Sequence, residues 1–152
     1  GTSPELIQAN IIPIIQDAMN YLSSRSSKKI TYNINLPTNE EIKLPINQCL
    51  LEWVLENLSK NAIDAMSGIG TLSLELTQDT KRVIIDISDT GKGMPKKQFK
   101  KIFEAGYTTK ERGWGMGLSL AKRIIEEYHH GKIFVKSTDI GRGTTFRIEL
   151  KK

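Results

Sequence analysis

The 152-residue chain has one cysteine, Cys49, so no disulfide can form within it. One position ahead of an apolar helical run, Cys49 reads as a buried structural thiol rather than a nucleophile, and a reducing, cytosolic setting fits. The two histidines, His129 and His130, form no metal cluster of His/Cys spacing, and no Ser/His/Asp arrangement can be argued. They end a helical pattern just before Gly131, which suits capping or dipole compensation better than catalysis. No apolar stretch approaches the ~20 residues that span a bilayer, and no signal-peptide pattern is present. Aromatics make up only 7%, and no zinc or helix-turn-helix signature accompanies Lys96, Lys97, Lys100 and Lys101. The net charge of +5 therefore reads as a solvated basic surface beside an anionic small ligand, with no nucleic-acid partner.

What is present is organised around Leu50–Met66. Leu51, Val54, Leu55, Leu58 and Ala62 recur at helical spacing and predict a face packed on a core. Asn57, Asn61 and Asp64 align on a second face. Asn and Asp are poor helix formers, costing roughly 0.5 kcal/mol each mid-helix relative to Ala. Either a ligand offsets that cost or the face is simply solvated.

The length fits one domain, and the first residue, Gly rather than Met, reads as the start of an excised piece. Residues 1–10 show little pattern and are expected to be a linker remnant, with the domain at 11–152. Asn10 should cap a helix lined by Ile11, Ile14, Ile15, Ala18 and Leu22, with Pro13 tolerated in its first turn. Period-2 alternation predicts strands at 30–36, 42–44, 72–76, 83–87, 133–137 and 144–150. The QDTK segment implies a hairpin between the third and fourth of these. A short helix is expected around 98–103 and an amphipathic one over 118–129, closed by Gly131. Helices do not alternate with single strands, so the order predicts α+β: a mixed, largely antiparallel sheet with helices on one face.

Asp89-Thr90-Gly91-Lys92-Gly93-Met94 follows a strand directly. Gly91 and Gly93 would permit positive φ and let a ligand approach the backbone, while Asp89 could accept from an exocyclic amine; a tight surface turn reads equally well. Gly113, Gly115 and Gly117 lead into a helix, an arrangement suited to phosphate, yet neither a dinucleotide fingerprint nor a P-loop is present. Thr108, Thr109 and Lys110 place two hydroxyls and an ammonium just upstream, in a lid or a plain solvated loop. The neutral amide oxygen of Asn61 is a hard ligand suited to Mg²⁺, which takes few protein ligands when phosphates complete its shell.

Taken in order, ENLSKNAIDAM, DTGKGM, KIFEAGYTTK, GWGMGLSLAKRIIEEYHHGKI and GRGTTFRIEL resemble the asparagine, first glycine, phenylalanine and second glycine boxes and the closing strand motif of the catalytic domain of bacterial sensor histidine kinases. That superfamily includes gyrase, mismatch-repair ATPases and ATPase chaperones. The resemblance implies a two-layer α/β sandwich (the Bergerat-type ATP-binding fold) with ATP and Mg²⁺ as cofactors. It implies Asn61 as metal ligand and Asp89 as receiver of the adenine amine. Gly91, Gly93 and Thr144 would shape the adenine pocket, and Lys110, Gly115 and Gly117 would serve the phosphates. Asn57, Asn61 and Lys110 are the catalytic candidates. Lys60, Asp64, Met94, Tyr107, Thr108, Thr109, Gly113, Trp114, Met116 and Leu118 complete the nucleotide site. Two departures stand out: Asp64 replaces a common basic residue, leaving a phosphate contact to Lys60, Lys92 or Lys110, and Phe103-Glu104-Ala105 replaces Phe-x-Pro. The implied function is transfer of the γ-phosphoryl group of ATP to a histidine on a separate dimerisation domain, with a response regulator downstream. The fragment would be a monomer and its parent a cytoplasmic or membrane-anchored homodimer. An ATP-hydrolysing conformational switch and an anti-sigma-type serine kinase are the alternatives within the superfamily.

Overall fold

The computed structural model describes residues 4–37, 40–105 and 117–152. Among the described residues, seven strands and three α-helices form two layers. β2 (Ile30–Asn35), β4 (Gly70–Gln78), β5 (Arg82–Ser88), β7 (Gly143–Lys151) and β6 (Lys132–Asp139) make one sheet in the order β2-β4-β5-β7-β6. Within it β2 and β4 run parallel, and the β4–β5, β5–β7 and β7–β6 pairs are antiparallel. A parallel pair needs a long crossover, and the segment between Asn35 and Gly70 supplies it, carrying α2 (Gln48–Ala65). The mixed, largely antiparallel sheet expected from the order of elements, and the two-layer sandwich implied by the resemblance, are therefore observed.

β1 (Ile7–Asn10) lies within the stretch expected to be linker, and it pairs antiparallel with β3 (Lys43–Ile46) in a two-stranded sheet. β3 includes Pro45, which this short ribbon accommodates. Asn10 then caps α1 (Ile11–Ser23) as predicted, its Oδ1 accepting from the Ile12 N–H at 3.2 Å. The same oxygen also accepts from the Ile42 N–H at 3.1 Å, so one side chain joins the cap to the crossover.

The core lies between the helices and one sheet face. Leu51, Val54, Leu55, Leu58 and Ala62 of α2 are buried, as their spacing predicts, with Leu72, Leu74, Ile85, Ile87 and Ile148 among the strand residues beneath. Each fully buried Leu or Ile contributes about 1.5–3 kcal/mol. The opposite sheet face is polar: Arg147 grips Asp86 with two bonds of 2.8 Å, holding that carboxyl below its ordinary value.

Three expectations change. Cys49 is exposed, because it sits in the first turn of α2 before the buried face begins. The short helix around 98–103 is two 3-10 turns, Lys96–Gln98 and Lys101–Phe103. Phe99, between the paired lysines, packs against the core, as Phe103 does edge-on to Phe146 at 6.1 Å. The last helix is α3 (Gly117–Arg123), continuing as a π-helical turn over Ile124–Tyr128.

Candidate functional site

Residues four apart on a helix stack in a line, so Asn57, Asn61 and Ala65 form one edge of α2, spanning about 12 Å. Asn57 and Asn61 are half-buried, while Lys60 and Asp64 beside them are exposed. Asn57 Nδ2 donates to the Trp53 carbonyl at 3.1 Å, which keeps its amide on the helix.

The first glycine loop docks at the Ala65 end. Lys92 N–H donates to the Ala65 carbonyl at 3.1 Å, and a Cβ on Gly91 would collide with that same oxygen. Gly91 is needed for this close approach, and its φ is not positive. Gly93 does have positive φ, 69°, but a Cβ there would strike the Asp139 carbonyl. At both positions the protein's own backbone lies where a side chain would begin. Gly141 N–H donates to the Lys92 carbonyl at 2.7 Å, so the loop is clamped between α2 and the β6–β7 turn.

Asp89 ends β5 and is only 7% exposed. Its backbone N–H donates to the Thr144 carbonyl at 2.9 Å, and its Oδ1 accepts from the Gly91 N–H at 2.8 Å. Burial raises its pKa above the ordinary carboxylate value, against the opposing pull of the Gly91 and Thr144 backbone amides. A buried carboxylate in a short polar wall is an acceptor suited to an amine donor. A pocket of about 130 Å³ opens beside it, lined by Thr138, Asp139, Arg142, Gly143 and Thr144 among others.

Thr138 went unnoticed in the sequence. Its hydroxyl accepts from the Met94 N–H at 3.1 Å, donates to the Gly143 carbonyl at 3.1 Å, and meets the Thr144 hydroxyl at 2.9 Å. It therefore joins the glycine loop to the Thr144 side chain. The hairpin register pairs Thr138 with Thr144, so the matched threonines around DIGRG were the available signal.

At the other end of the asparagine edge, α3 begins against Asn57. A Cβ on Gly117 would lie 3.3 Å from Asn57 Oδ1, and Leu118 beside it is half-buried. Tyr107, Thr108, Thr109, Lys110, Gly113, Trp114, Gly115 and Met116 lie outside the described residues. The described residues thus place Gly117 against Asn57 at one end of this edge of α2 and Gly91 against Ala65 at the other. Asp89 and Thr144 line the pocket beside the glycine loop, Met94 bonds Thr138, and Lys60 and Asp64 are exposed on α2.

The donor set suits a cation held chiefly by its ligand's phosphates. Among the described residues no three His, Cys, Asp or Glu side chains gather to hold a metal, while the half-buried Asn61 carries a neutral amide oxygen, a hard ligand type. His129 is buried and its ring is hydrogen-bonded through both nitrogens. The turn after α3 uses His130 in the left-handed conformation, φ 59°, while Gly131 is required because a Cβ would strike the Glu149 carbonyl.

The profile of the histidine kinase-, DNA gyrase B- and HSP90-like ATPases matches residues 47–152. Sensor histidine kinase ZraS of Salmonella typhimurium is 38% identical over 143 residues, 93% of this chain and 30% of that protein. Sporulation kinase E of Bacillus subtilis is 33% identical over 147 residues, 94% of this chain and 19% of that one. The chain thus spans less than a third of these curated relatives. The catalytic domain of histidine kinase ThkA superposes with a TM-score of 0.87 at 27% identity, covering 98% of this chain and 99% of that one. ThkA in complex with response regulator protein TrrA gives a TM-score of 0.82 at 25% identity, covering 97% of this chain and 42% of that one. Because the matched span runs from the N-cap of α2 through the last strand, the chain belongs to the histidine kinase-, DNA gyrase B- and HSP90-like ATPase family.

Proposed function

We propose that this domain binds Mg-ATP and donates the γ-phosphoryl group to a histidine on a separate dimerisation domain. The carrying observation is the convergence of Asp89, the docked glycine loop and the start of α3 on one asparagine-bearing edge of α2. In this reading Asp89 accepts from the adenine amine at the Ala65 end, and the phosphates lie toward Asn57 and Gly117. Mg²⁺, when bound, would neutralise charge on the phosphates, with the Asn61 amide oxygen among its ligands. Phosphoryl transfer asks a protein chiefly for positioning and charge balance, which Asn, Gly, Thr and Lys side chains can provide.

The hydrolytic reading needs a general base one turn before Asn61, where gyrase-like hydrolases carry Glu. That position is Asn57, an amide bonded to the Trp53 carbonyl and unable to take a proton from water. Glu56 is turned from it by about 100°. Transfer from this domain to His129 is disfavoured too, since that ring is buried with both nitrogens engaged.

ThkA's complex with a response regulator supports a response regulator as the eventual phosphoryl acceptor here. No helix among the described residues is long and apolar enough to cross a membrane; a cytoplasmic site of action for this domain belongs to the same proposal.

The test mixes the domain with γ-labelled ATP and the histidine-bearing dimerisation domain of its parent. Acid-labile label on the added domain, none on this chain, and phosphate release barely altered by Glu56→Gln are expected. Brisk phosphate release abolished by Glu56→Gln would replace the kinase with a hydrolase.

A further inference from the structure

The His129 ring works at two places. Nδ1 lies 2.9 Å from the Ile124 carbonyl oxygen, which can only accept, so the proton resides on Nδ1. Nε2 is then an acceptor, and it receives the backbone N–H of Asn47 at 3.0 Å. Asn47 is the N-cap of α2, with its own Oδ1 accepting from the Leu50 N–H. The end of the last helix is thereby pinned to the start of the helix that carries the asparagine edge.

A second point of contact lies at the opposite end of the same helix, where Gly117 abuts Asn57. With 129 beside 47 and 117 beside 57, the two helices run antiparallel between two fixed points. Ala121, Ile124 and Ile125 fill the interval with buried apolar side chains. Such contacts are non-directional and would tolerate a small slide. The His129 contact adds a directional tie to α2, beside the bonds of Glu126 and the Ile125 carbonyl to the start of β6. The π turn at the foot of this contact is an unusual piece of helix, and the Ile124 carbonyl there accepts from both the backbone N–H and the ring of His129.

We infer that His129 is a positioning residue for the nucleotide: by tying the end of α3's π turn to the N-cap of α2, it sets where Gly117 stands against the asparagine edge. This rests on the Mg-ATP reading of the cleft. His129 touches no substrate and acts only through the placement of α3.

The two ring nitrogens can be mimicked separately. Asn at 129 can keep the donor to Ile124 but does not reach Asn47; Gln can present an acceptor to Asn47. With binding measured by calorimetry at a temperature where circular dichroism shows all forms folded, His129→Asn should bind Mg-ATP about three- to tenfold more weakly, the worth of one net hydrogen bond. His129→Gln should recover most of that loss. Equal affinity of His129→Asn and wild type, or a Gln variant as weak as the Asn variant, would overturn the inference.

Should the variants fail to fold, wild-type amide exchange decides. Coupling is reciprocal, so Mg-ATP should slow exchange of the Asn47 N–H, and unchanged exchange would overturn the pin. Wild type unable to bind Mg-ATP would instead bring down the proposed function, and this inference with it.

Discussion

The backbone N–H of Lys92 donates to the carbonyl oxygen of Ala65 at 3.1 Å, docking the first glycine loop on the last turn of α2. Only a glycine at 91 allows this approach, since a Cβ there would meet the same carbonyl. Gly91→Ala is therefore expected to push the loop off α2 and displace Asp89, whose Oδ1 the Gly91 amide holds. Nucleotide binding should fall at least tenfold, with a stability loss of about 1–3 kcal/mol from the crowding. Calorimetry and thermal melting would check both, and wild-type affinity in this variant would count against the loop's role.

Burial opposes the ionisation of Asp89. Its folded pKa lies above the ordinary 3.8, so its contribution to stability is present below that pH and is lost as pH rises through the folded value. At pH 7 the buried carboxylate is a liability to the ligand-free fold. Asp89→Asn can retain an acceptor for the Gly91 amide, and should raise the melting temperature at pH 7, with the gain vanishing near pH 3.8. Wild type should prefer ATP to GTP by at least tenfold, because a guanine carbonyl facing Asp89 leaves a buried acceptor unmet at a cost of about 1–3 kcal/mol. The variant should lose ATP affinity and that preference together, as competition binding would show.

His129 gives the fold a pH limit of the opposite sign. Burial lowers its pKa below the ordinary 6.5, the Ile124 carbonyl raising it and the neighbouring His130 adding to the depression. Its contribution to stability is thus full above pH 6.5 and is lost as pH falls through the depressed value. Urea unfolding followed from pH 7.5 downward should show a loss of stability starting below pH 6.5, and His129→Gln should remove that component. A wild-type stability flat over this range would contradict the neutral, doubly bonded ring.

Ser59 lies inside α2 with its hydroxyl fully buried and without a hydrogen-bond partner among the described residues. Removing an unmet polar group at a helical site favours the fold, so Ser59→Ala should stabilise it by about 1 kcal/mol, or about 2–4 °C in melting temperature. A destabilised Ser59→Ala would mean that the hydroxyl has an unrecognised partner.

The sequence was legible where periodicity decides the outcome. Leu51, Val54, Leu55, Leu58 and Ala62 fall on the buried side of α2, and the 72–76 and 83–87 runs form the paired strands β4 and β5. Asn10 as a cap was equally readable, being local chemistry. Contacts made across the chain were harder. β1 is four residues, IQAN, too short to show alternation, and it exists through pairing with β3. The π turn at 124–128 retains an apolar stripe that reads as ordinary helix. Gly91, Gly93 and Gly131 were visible as glycines, but their need for close approach to Ala65, Asp139 and Glu149 depends on tertiary neighbours. Thr138 was hidden for the same reason, its partners lying on a loop 44 residues away and across the hairpin.

The asparagine edge of α2 as a Mg-ATP site is tested most directly by calorimetric titration of wild type and Asn61→Ala with ATP, each with and without Mg²⁺. Wild type should bind ATP far more tightly with the metal present, and Asn61→Ala should lose most of this dependence while keeping its fold. Equal metal dependence in the two proteins would contradict the role given to Asn61, and the absence of ATP binding to wild type would contradict the site altogether.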